Sequence, residues 1–345
     1  MSLPERFANE SELDAFIARP STALVEMMKR LDGDIMILGV AGKMGVTMAM
    51  QAVNAVRAAG VEKKIYGVAR FSDPAAQDKL EASGVCTIAC DLLDQASVES
   101  LPQVRNIVFM AGRKFGTQGS EEQTWAMNVL APAYVAEHFK GSRIVAFSTG
   151  CVYPLVSPTE GGCTEDVLPL PVGEYSQSCL GRERIFEYYS KKYQTELLLF
   201  RLNYAIDLRY GVLHDIAMMI WNGEKVNNSV SAFNAIWQGS ANEAALRSLE
   251  LAEYPRRILN VTGMETYSTE AAAQEFGKLL GKKVEFMYPE SGDKCYLNNA
   301  SKMAELFGVP EVDIPQMIQW QADWIKSGGR TINKPTHFEV NNGKF

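Results

Sequence analysis

The sequence predicts an α/β protein with a doubly wound parallel sheet and a smaller, less regular C-terminal region. Short apolar runs of strand length alternate with segments of helical periodicity between residues 33 and 202. A glycine-rich turn follows the first of these runs, and the alternation weakens after residue 202. Such alternation of buried strands with helices is typical of a parallel sheet that helices cover on both faces.

The size and composition of the chain exclude several other classes. Its 345 residues, 47% of them hydrophobic, suffice for a large core. The net charge of −7, with no block of like charge, argues against binding to nucleic acid or to an anionic membrane. No apolar run approaches the roughly 20 residues that span a bilayer, and the polar N-terminus does not resemble a signal peptide. We therefore expect a cytoplasmic protein with neither a membrane nor a nucleic acid as partner.

The cysteines and histidines indicate neither a disulfide framework nor a metal site. The six cysteines contain no C-x-x-C pair and are expected to be free thiols in a reducing cytosol. The three histidines, His138, His214 and His337, stand far apart in the sequence, so no histidine-based metal site is predicted.

The first 32 residues are predicted to form a helical extension. Leu24, Met27, Met28 and Leu31 recur at helical spacing, and Ser11 can cap a helix that covers residues 11–32. The elements predicted to follow, up to residue 202, are strands at 34–38, 64–68, 86–90, 106–110, 143–147 and 196–202 and helices at 42–59, 124–138 and 175–192.

Beyond residue 202 the predicted elements are less regular. The elements that follow a mixed segment at 203–234 are helices at 240–252, 269–280, 300–307 and 313–326 and strands at 258–261 and 284–287. The tail is expected to lie over the body as an extended arm or to be partly mobile. The predicted regions are a helical extension (1–32), a sheet domain (33–202 and about 235–263), a second region (203–234 and 264–328) and the C-terminal arm (329–345).

The turn after the first strand has the features of a dinucleotide-binding loop. Gly39, Gly42 and Gly45 follow a G-x-x-G-x-x-G spacing between a strand and a helix. The first glycine permits a tight turn, the second lets backbone N–H groups approach a pyrophosphate, and the third lets the helix pack close to the sheet. Lys43 and Met44 lie within the loop and are expected to contribute to the same site. The prediction is a Rossmann-type domain that binds NAD or NADP; the alternative is a glycine-rich turn without a ligand.

The end of the second strand bears on the choice between NAD and NADP. NAD sites usually carry an acidic residue there, which binds the ribose 2′-hydroxyl. Here Arg70 could pair with a 2′-phosphate and Ser72 could donate a hydrogen bond to it, which favours NADP. Asp73 stands close by, and an ordinary surface arginine at position 70 is the alternative.

Residues 33–310 resemble the extended short-chain dehydrogenases/reductases, also called NAD-dependent epimerases/dehydratases. The matching positions after the glycine loop are Asp91-Leu92, Ala111-Gly112, Asn128, Ser148-Thr149, Val152-Tyr153, Glu165, Pro171, Tyr175, Arg201-Leu202-Asn203 and Asn260-Val261-Thr262-Gly263. The resemblance implies that Asp91 and Leu92 contact the adenine end of the cofactor. It also implies that Ala111 and Gly112 form a wall of the cofactor site and that Asn128 supports the active site.

The catalytic unit of this family is a Ser/Thr hydroxyl with a Tyr-x-x-x-Lys pair, whose lysine lowers the tyrosine pKa from about 10. The resemblance gives these roles to Thr149 and Tyr175, with Tyr175 as the acid/base. The lysine position holds Cys179 instead. A second Tyr-x-x-x-Lys, at Tyr188 and Lys192, lies roughly 20 Å further along the predicted helix and is expected not to be the working pair.

The missing lysine leaves three interpretations open. Another cation could replace it, and the candidates are Arg113, Lys114 and Arg182. Alternatively a different base could act, either Cys179 itself or, if the C-terminal arm folds over the cleft, His337 and Glu339. Finally, the protein could bind a dinucleotide without turnover, as a sensor or scaffold.

The resemblance implies an NAD(P)-dependent oxidoreductase, epimerase or dehydratase that acts on a carbohydrate-type hydroxyl or carbonyl compound by hydride transfer. Tyr175 would exchange the hydroxyl proton, and Thr149 would bind the same oxygen. The residues expected to contact the substrate are Lys114, Asn203, Arg209 and Tyr210. Because basic residues do not cluster along the sequence, a small sugar or sugar acid is favoured over an anionic sugar nucleotide.

The resemblance also implies a homodimer. Members of the family commonly pair through the helices that flank the catalytic tyrosine. Ile185, Phe186, Tyr188 and Tyr189 could supply an apolar surface for this contact, or they could equally belong to the core.

Overall fold

The computed structural model describes residues 3–114, 116, 119–288, 294–334 and 336–339. The strands are β1 (Ile35–Leu38), β2 (Ile65–Ala69), β3 (Cys86–Ala89), β4 (Asn106–Phe109), β5 (Arg143–Thr149), β6 (Glu196–Leu202), β7 (Ala205–Ile206), β8 (Val226–Asn227), β9 (Ala232–Phe233), β10 (Ile236–Trp237), β11 (Arg257–Val261), β12 (Tyr267–Ser268) and β13 (Phe286–Met287). The α-helices are α1 (Glu10–Ile17), α2 (Thr22–Arg30), α3 (Gly45–Ala59), α4 (Pro74–Ser83), α5 (Gln95–Glu99), α6 (Glu121–Trp125), α7 (Ala131–His138), α8 (Gly173–Tyr193), α9 (Val212–Asn222), α10 (Gln238–Arg247), α11 (Thr269–Leu280), α12 (Ser301–Phe307) and α13 (Ile314–Lys326).

The central sheet has the strand order β11-β6-β5-β4-β1-β2-β3, and all its pairings are parallel. The chain begins at β1 in the middle, proceeds through β2 to β3 at one edge, and then crosses to β4 on the other side of β1. Ligands of such sheets bind at the carboxyl ends of the strands, where the direction of winding reverses. The predicted doubly wound parallel sheet is confirmed, and its reversal point lies between β1 and β4.

The central strands are apolar on both faces because helices cover both faces. Ile35 and Ile37 of β1 belong to a core that includes residues of α2, α3 and α10. Met36 and Leu38, which alternate with them, belong to a core on the opposite face with residues of α7 and α8. Full burial of one such side chain stabilises the fold by about 1.5–3 kcal/mol. The sheet is therefore held firmly from both sides below its carboxyl edge.

The C-terminal region has a core of its own, enclosed by α9, α11 and α13. Trp237 and Trp320 are buried there, with ring centroids 5.3 Å apart. The N-terminal extension contributes Phe7, whose ring centroid lies 5.1 Å from that of Trp320. The extension thus packs against the second core as well as against the sheet domain.

The extension consists of two helices, α1 and α2, so the prediction of a single helix capped by Ser11 is wrong. The Asn9 side chain accepts a hydrogen bond from the Glu12 amide and caps α1. The Ser21 side chain accepts one from the Leu24 amide and caps α2. Pro20 separates the two helices because it has no backbone N–H and disfavours helical geometry at the residue before it.

The described part of the C-terminal arm packs against α9 and the segment before it. The Ile332 amide donates to the Arg209 carbonyl, and His214 hydrogen-bonds the Thr331 hydroxyl at 2.9 Å. The Thr336 amide and hydroxyl both donate to the Asp215 carboxylate, at 2.7 and 2.5 Å. Phe338 is buried in the second core. The arm is thereby tied to the C-terminal region on several sides.

Three further findings concern membrane helices, metal sites and disulfides in the described residues. In the part of the chain that the structure describes, no helix is long and apolar enough to cross a membrane. Within the same residues, no three His, Cys, Asp or Glu side chains are grouped so that they could hold a metal ion. All six cysteines are free thiols.

Candidate active site

A cavity of about 390 Å³ opens at the carboxyl ends of the central strands. Its walls come from the glycine loop, the segments after β4, β5 and β6, the start of α8, and the C-terminal arm. The site residues proposed from the sequence that line it are Gly39, Gly42, Lys43, Met44, Gly112, Lys114, Thr149, Tyr175, Asn203 and Tyr210. The fold thus brings cofactor, catalytic and substrate candidates to one place.

The glycine loop has the shape that a dinucleotide requires. Gly39 has a φ of +91°, and a Cβ there would lie 2.7 Å from the Ala111 backbone. A Cβ on Gly45 would lie 2.3 Å from the Val40 carbonyl oxygen. At Gly42 the nearest atom to such a Cβ is the Gly39 carbonyl oxygen, at 3.3 Å. Gly39 and Gly45 therefore pack tightly against neighbouring backbone, whereas the backbone at Gly42 stays open. This open surface lies beside the N-terminus of α3 and suits a pyrophosphate.

The three candidates for the adenosine end of a cofactor lie outside the lining of this cavity, as do Gly45 and Ala111. Arg70 directly follows β2 and is exposed. Asp91 follows β3, and its carboxylate accepts a hydrogen bond from the Leu93 amide at 3.0 Å. Leu92 is buried beside it. Their roles at the adenine end of a cofactor stay predictions.

Asn128 fixes the segment that follows β4. Its side-chain oxygen accepts from the Arg113 amide at 2.9 Å, and its side-chain nitrogen donates to the Arg113 carbonyl at 3.0 Å. The same nitrogen donates to the Ser178 hydroxyl, which in turn donates to the Tyr175 carbonyl. Asn128 lies in a π-helical turn, Ala126–Leu130, and such turns are frequent at functional sites. The segment after β4 and the start of α8 are thereby locked together.

The Tyr175 side chain faces the cavity from the first turn of α8 and hydrogen-bonds the Thr149 side chain. Burial raises the pKa of Tyr175 well above its ordinary value, and the nearby Cys179 and Cys151 act in the same direction. The Arg182 guanidinium and the Thr149 hydrogen bond oppose this rise. Burial also raises the pKa of Cys179 to about 11, so at neutral pH this residue is an uncharged thiol.

Three cations line the cavity, which corrects the expectation that basic residues do not cluster. Lys43 lies with its Nζ 3.2 Å from the centroid of the Tyr210 ring. Burial, reinforced by Lys114 and Lys334, lowers the pKa of Lys43 to about 7. The Lys114 Nζ lies 5.9 Å from the centroid of the Tyr175 ring, and burial lowers its pKa as well.

Arg182, the third cation, is buried and held by the surrounding backbone. Its Nη1 donates to the Phe147 carbonyl at 2.9 Å, and its Nη2 donates to the Asn128 side-chain oxygen at 2.6 Å. A Cβ on Gly112 would lie 2.5 Å from Nη2. A glycine at position 112 therefore leaves room for the guanidinium.

A buried ion pair fixes the position of α8. Glu183 of α8 accepts two hydrogen bonds from Arg201 of β6, at 2.9 and 2.7 Å. The Ser148 hydroxyl of β5 donates to the same carboxylate at 2.5 Å. Since one carboxylate binds both strands, α8 keeps a fixed position relative to Thr149.

Other residues proposed from the sequence lie away from the cavity. Arg209 pairs with Asp207 at 2.6 Å and with Asp14 at 2.9 Å and does not line the cavity, so it is no longer a substrate candidate. In the second Tyr-x-x-x-Lys, Tyr188 is 58% exposed and Lys192 pairs with Glu137. These two lie on the outer surface of α8, as expected for a pair without a catalytic role.

The residues that were expected to form the dimer contact differ in their exposure. Phe186 is buried in the core, whereas Tyr188 is exposed. The homodimer itself stays a prediction.

Several cavity residues were not identified from the sequence. Met110, Phe147, Cys151 and Tyr204 lie within two residues of identified positions along the chain, whereas Gln238 does not. The spacing of Cys151, two residues after Thr149, could have indicated it. Thr336 is different, because it reaches the cavity from the arm, and its carbonyl lies 3.5 Å from the Lys114 Nζ. No local sequence signal predicts that contact. His337 is half-buried, and its Nδ1 lies 3.7 Å from a carboxylate oxygen of Glu339.

A known protein family shares part of this sequence. The model of the NAD dependent epimerase/dehydratase family matches residues 35–206, about half of the chain. No curated protein sequence matches the chain significantly.

Solved structures share the fold at low identity. The UDP-glucuronic acid 4-epimerase of Bacillus cereus, in complex with UDP-glucuronic acid and NAD, is 18% identical with a TM-score of 0.69, over 85% of this chain and 99% of that chain. The dTDP-glucose 4,6-dehydratase of Bacillus anthracis, in complex with NAD, is 18% identical with a TM-score of 0.73, over 86% and 97%. The UDP-glucose 4-epimerase of Thermus thermophilus, in complex with NAD, is 20% identical with a TM-score of 0.68, over 85% and 99%.

The family match spans the glycine loop, Thr149, Tyr175 and the first half of the chain up to β7. The chain belongs to the NAD-dependent epimerase/dehydratase family.

Proposed function

We propose that the protein is an NAD(P)-dependent enzyme that acts on a carbohydrate-type hydroxyl or carbonyl compound, with Tyr175 as acid/base and Thr149 as its hydrogen-bonding partner. The observation that carries the proposal is the shared cavity, which joins the glycine loop to the Tyr175 side chain. The solved structures with this fold include NAD complexes of sugar-nucleotide epimerases and a dehydratase, which supports the same class of chemistry.

The residues present fit a dinucleotide. The open backbone of the glycine loop would hold its pyrophosphate, and Gly112, which lines the cavity in the segment after β4, would lie beside its nicotinamide half. A bound nicotinamide dinucleotide supplies the acceptor or donor of the hydride. In the oxidative direction the carbinol C–H bond breaks with its electron pair, the O–H proton passes to ionised Tyr175, and a carbonyl forms. Thr149 holds the oxygen throughout.

We further propose that Arg182 supplies the positive charge that the lysine of the family supplies elsewhere, because Cys179 stands four residues after Tyr175. Side chains on a helix point toward its N-terminus, so Arg182 reaches back from the next turn toward Cys179 and Tyr175. It is permanently charged, is fixed by Phe147 and Asn128, and lines the cavity. A buried cation near a phenol stabilises the phenolate, and the Arg182 guanidinium acts to lower the pKa of Tyr175.

Replacing Arg182 with methionine is expected to lower turnover by roughly tenfold or more, since loss of a nearby cation raises a neighbour's pKa by about 1–3 units. Removal of the charge raises the pKa of Tyr175 further. The limb of the pH–rate profile that reports Tyr175 should therefore move to higher pH. Adding Cys179→Lys to the same chain should restore part of the rate.

The matched control is Arg184→Met, which removes an exposed arginine of the same helix that pairs with Glu187. It should leave the profile unchanged. A stably folded Arg182→Met protein with an unshifted profile would mean that Arg182 has only a structural role.

Arg70 carries the proposed preference for NADP. We expect Arg70→Ser to weaken NADPH binding about tenfold, the loss of roughly 1.4 kcal/mol for one exposed charge-assisted contact, and to change NADH binding less than twofold. Fluorescence titration of the wild-type protein and the variant measures both. Tighter binding of NADH than of NADPH by the wild-type protein would contradict the preference. Solved structures that share this fold contain NAD, so a preference for NADH is the alternative to the proposed preference for NADPH.

A non-catalytic sensor or scaffold is the second candidate. The specific observation in its favour is that burial raises the pKa of Tyr175 while an uncharged thiol occupies position 179. Mass spectrometry of nucleotide released by denaturation, followed by titration of the emptied protein, separates the candidates. A co-purifying dinucleotide supports an epimerase- or dehydratase-like cycle, and reversible uptake supports a dehydrogenase or reductase. Binding without turnover of any hydroxy or keto compound supports the sensor.

A further inference from the structure

Tyr204, two residues after β6, has a backbone conformation that tyrosine rarely adopts. Its φ is +38°, in the left-handed region, where the Cβ of a bulky side chain is crowded. Because such conformations cost free energy, they persist only where the surrounding structure imposes them, and they concentrate at functional sites. Tyr204 lines the same cavity as Tyr175. The unusual backbone and the candidate active site therefore coincide at this residue.

Hydrogen bonds on both sides of Tyr204 impose this conformation. The Asn203 amide donates to the Val261 carbonyl at 3.0 Å, and the Ile236 amide donates to the Tyr204 carbonyl at 3.1 Å. The Asn203 side-chain nitrogen donates to the Tyr296 carbonyl, also at 3.1 Å. The chain then enters β7, which pairs with β10. Tyr204 is thereby held in place where the chain leaves the central sheet.

The left-handed conformation changes which side chains reach the cavity. In an extended strand, successive side chains point to opposite sides. A regular strand would therefore present only one of Asn203 and Tyr204 to the cavity. Here four consecutive residues line it, namely Leu202, Asn203, Tyr204 and Ala205. The left-handed residue interrupts the alternation and allows the tyrosine to face the cavity together with its neighbours.

The phenols of Tyr204 and Tyr175 share a neighbour in the cavity wall. Cys151, two residues after Thr149, lies within electrostatic range of both tyrosines. Burial raises the pKa of Tyr204 well above its ordinary value, so at neutral pH its hydroxyl is uncharged and can donate a hydrogen bond. In the part of the chain that the structure describes, this hydroxyl has no hydrogen-bond partner. The cavity thus offers a second hydroxyl donor in addition to that of Tyr175.

We infer that Tyr204 determines substrate specificity, because its hydroxyl binds a second oxygen of the substrate, close to the oxygen that Tyr175 and Thr149 bind. The site selects compounds with oxygens on neighbouring carbons, such as sugars and hydroxyketones, over simple alcohols and ketones. This inference rests on the proposed function, since it concerns the substrate of the Tyr175 site. A substrate without the second oxygen leaves the buried Tyr204 hydroxyl without a partner, which costs binding free energy.

The experiment uses the full chain saturated with NADPH or NADH, whichever binds, and isothermal titration with probes that differ by one hydroxyl. The pairs are D-glucose with 2-deoxy- and 3-deoxy-D-glucose, D-ribose with 2-deoxy-D-ribose, hydroxyacetone with acetone, and UDP-glucose with its 3-deoxy analogue. In at least one pair the hydroxy compound should bind about tenfold or more tightly than its partner, the effect of one hydrogen bond. Tyr204→Phe should remove that difference by weakening the hydroxy compound alone, while the dinucleotide Kd stays within about twofold.

Two controls separate hydrogen bonding from a change of structure. Tyr204→Phe keeps the ring and the backbone, so its thermal unfolding should match that of the wild-type protein. Tyr188→Phe removes the hydroxyl of an exposed tyrosine outside the cavity and should leave every affinity ratio unchanged. Loss of the preference in Tyr204→Phe, with both controls as expected, supports the inference.

The inference is overturned if the protein binds dinucleotide but no hydroxy compound binds more tightly than its partner, or if the preference survives in Tyr204→Phe. It is also overturned if Tyr204→Phe weakens both members of a pair equally, since the tyrosine would then shape the cavity without binding the second oxygen. Failure of the proposed function looks different, because then no dinucleotide binds, or turnover survives in Tyr175→Phe.

Discussion

Replacing Tyr175 with phenylalanine is expected to lower turnover by about 10³-fold, within the roughly 10²- to 10⁴-fold range of a positioned acid/base. The substitution removes one hydroxyl, which hydrogen-bonds Thr149 and faces the cavity. The aromatic ring and its packing against α8 remain. Dinucleotide affinity should therefore change little, and steady-state kinetics with a parallel NADPH and NADH titration measure the two effects separately.

The chain offers an exact chemical control in Tyr188→Phe. Tyr188 belongs to the second Tyr-x-x-x-Lys of the same helix but is 58% exposed, away from the cavity. We expect its variant to retain the wild-type rate. If Tyr188→Phe lost activity and Tyr175→Phe kept it, the catalytic pair would be the outer one and the assignment of the cavity would be wrong.

The fold could be predicted because its signals are local. β1 is four apolar residues followed by Gly39, and this pattern needs no distant information. Because helices bury both faces of a parallel sheet, each strand appears as an unbroken apolar run. The extension forms two helices and not one for an equally local reason, since Pro20 interrupts the helical pattern and Ser21 caps the second helix.

The charged side chains could not be placed in this way, because their partners are distant in sequence. Arg209 follows a strand, as a substrate residue would, but Asp14 binds it from 195 residues away. Conversely, Lys43, Lys114 and Arg182 come from the segments after β1 and β4 and from α8, and only the fold brings them to one cavity. The contact of Thr336 with Lys114 spans 222 residues and depends on how the arm packs. The spacing of residues along the sequence therefore does not predict these contacts.

Replacing Gly45 with alanine is expected to weaken dinucleotide binding by about 100-fold, or roughly 2.7 kcal/mol. Alanine normally favours a helix over glycine by about 1 kcal/mol, so propensity alone would predict a more stable protein. Here the added Cβ would lie 2.3 Å from the Val40 carbonyl oxygen and 2.7 Å from its Cα. Backbone atoms cannot move aside as a flexible side chain can. The start of α3 must therefore shift away from the loop that it completes.

We attribute the expected loss of dinucleotide affinity to the distorted loop. Substitutions at two other glycines test this cause. Gly141→Ala adds a methyl group where nothing lies within 4 Å, so it should leave NADPH and NADH affinity unchanged. Gly42→Ala meets only the Gly39 carbonyl oxygen, at 3.3 Å, so the chain should fold while the methyl group occupies the open surface of the loop. If Gly45→Ala reduces thermal stability too far for titration, Gly42→Ala still measures the site. Wild-type affinity in a folded Gly42→Ala protein would mean that a dinucleotide does not approach this backbone, and the proposed enzyme and the proposed sensor would then fail together.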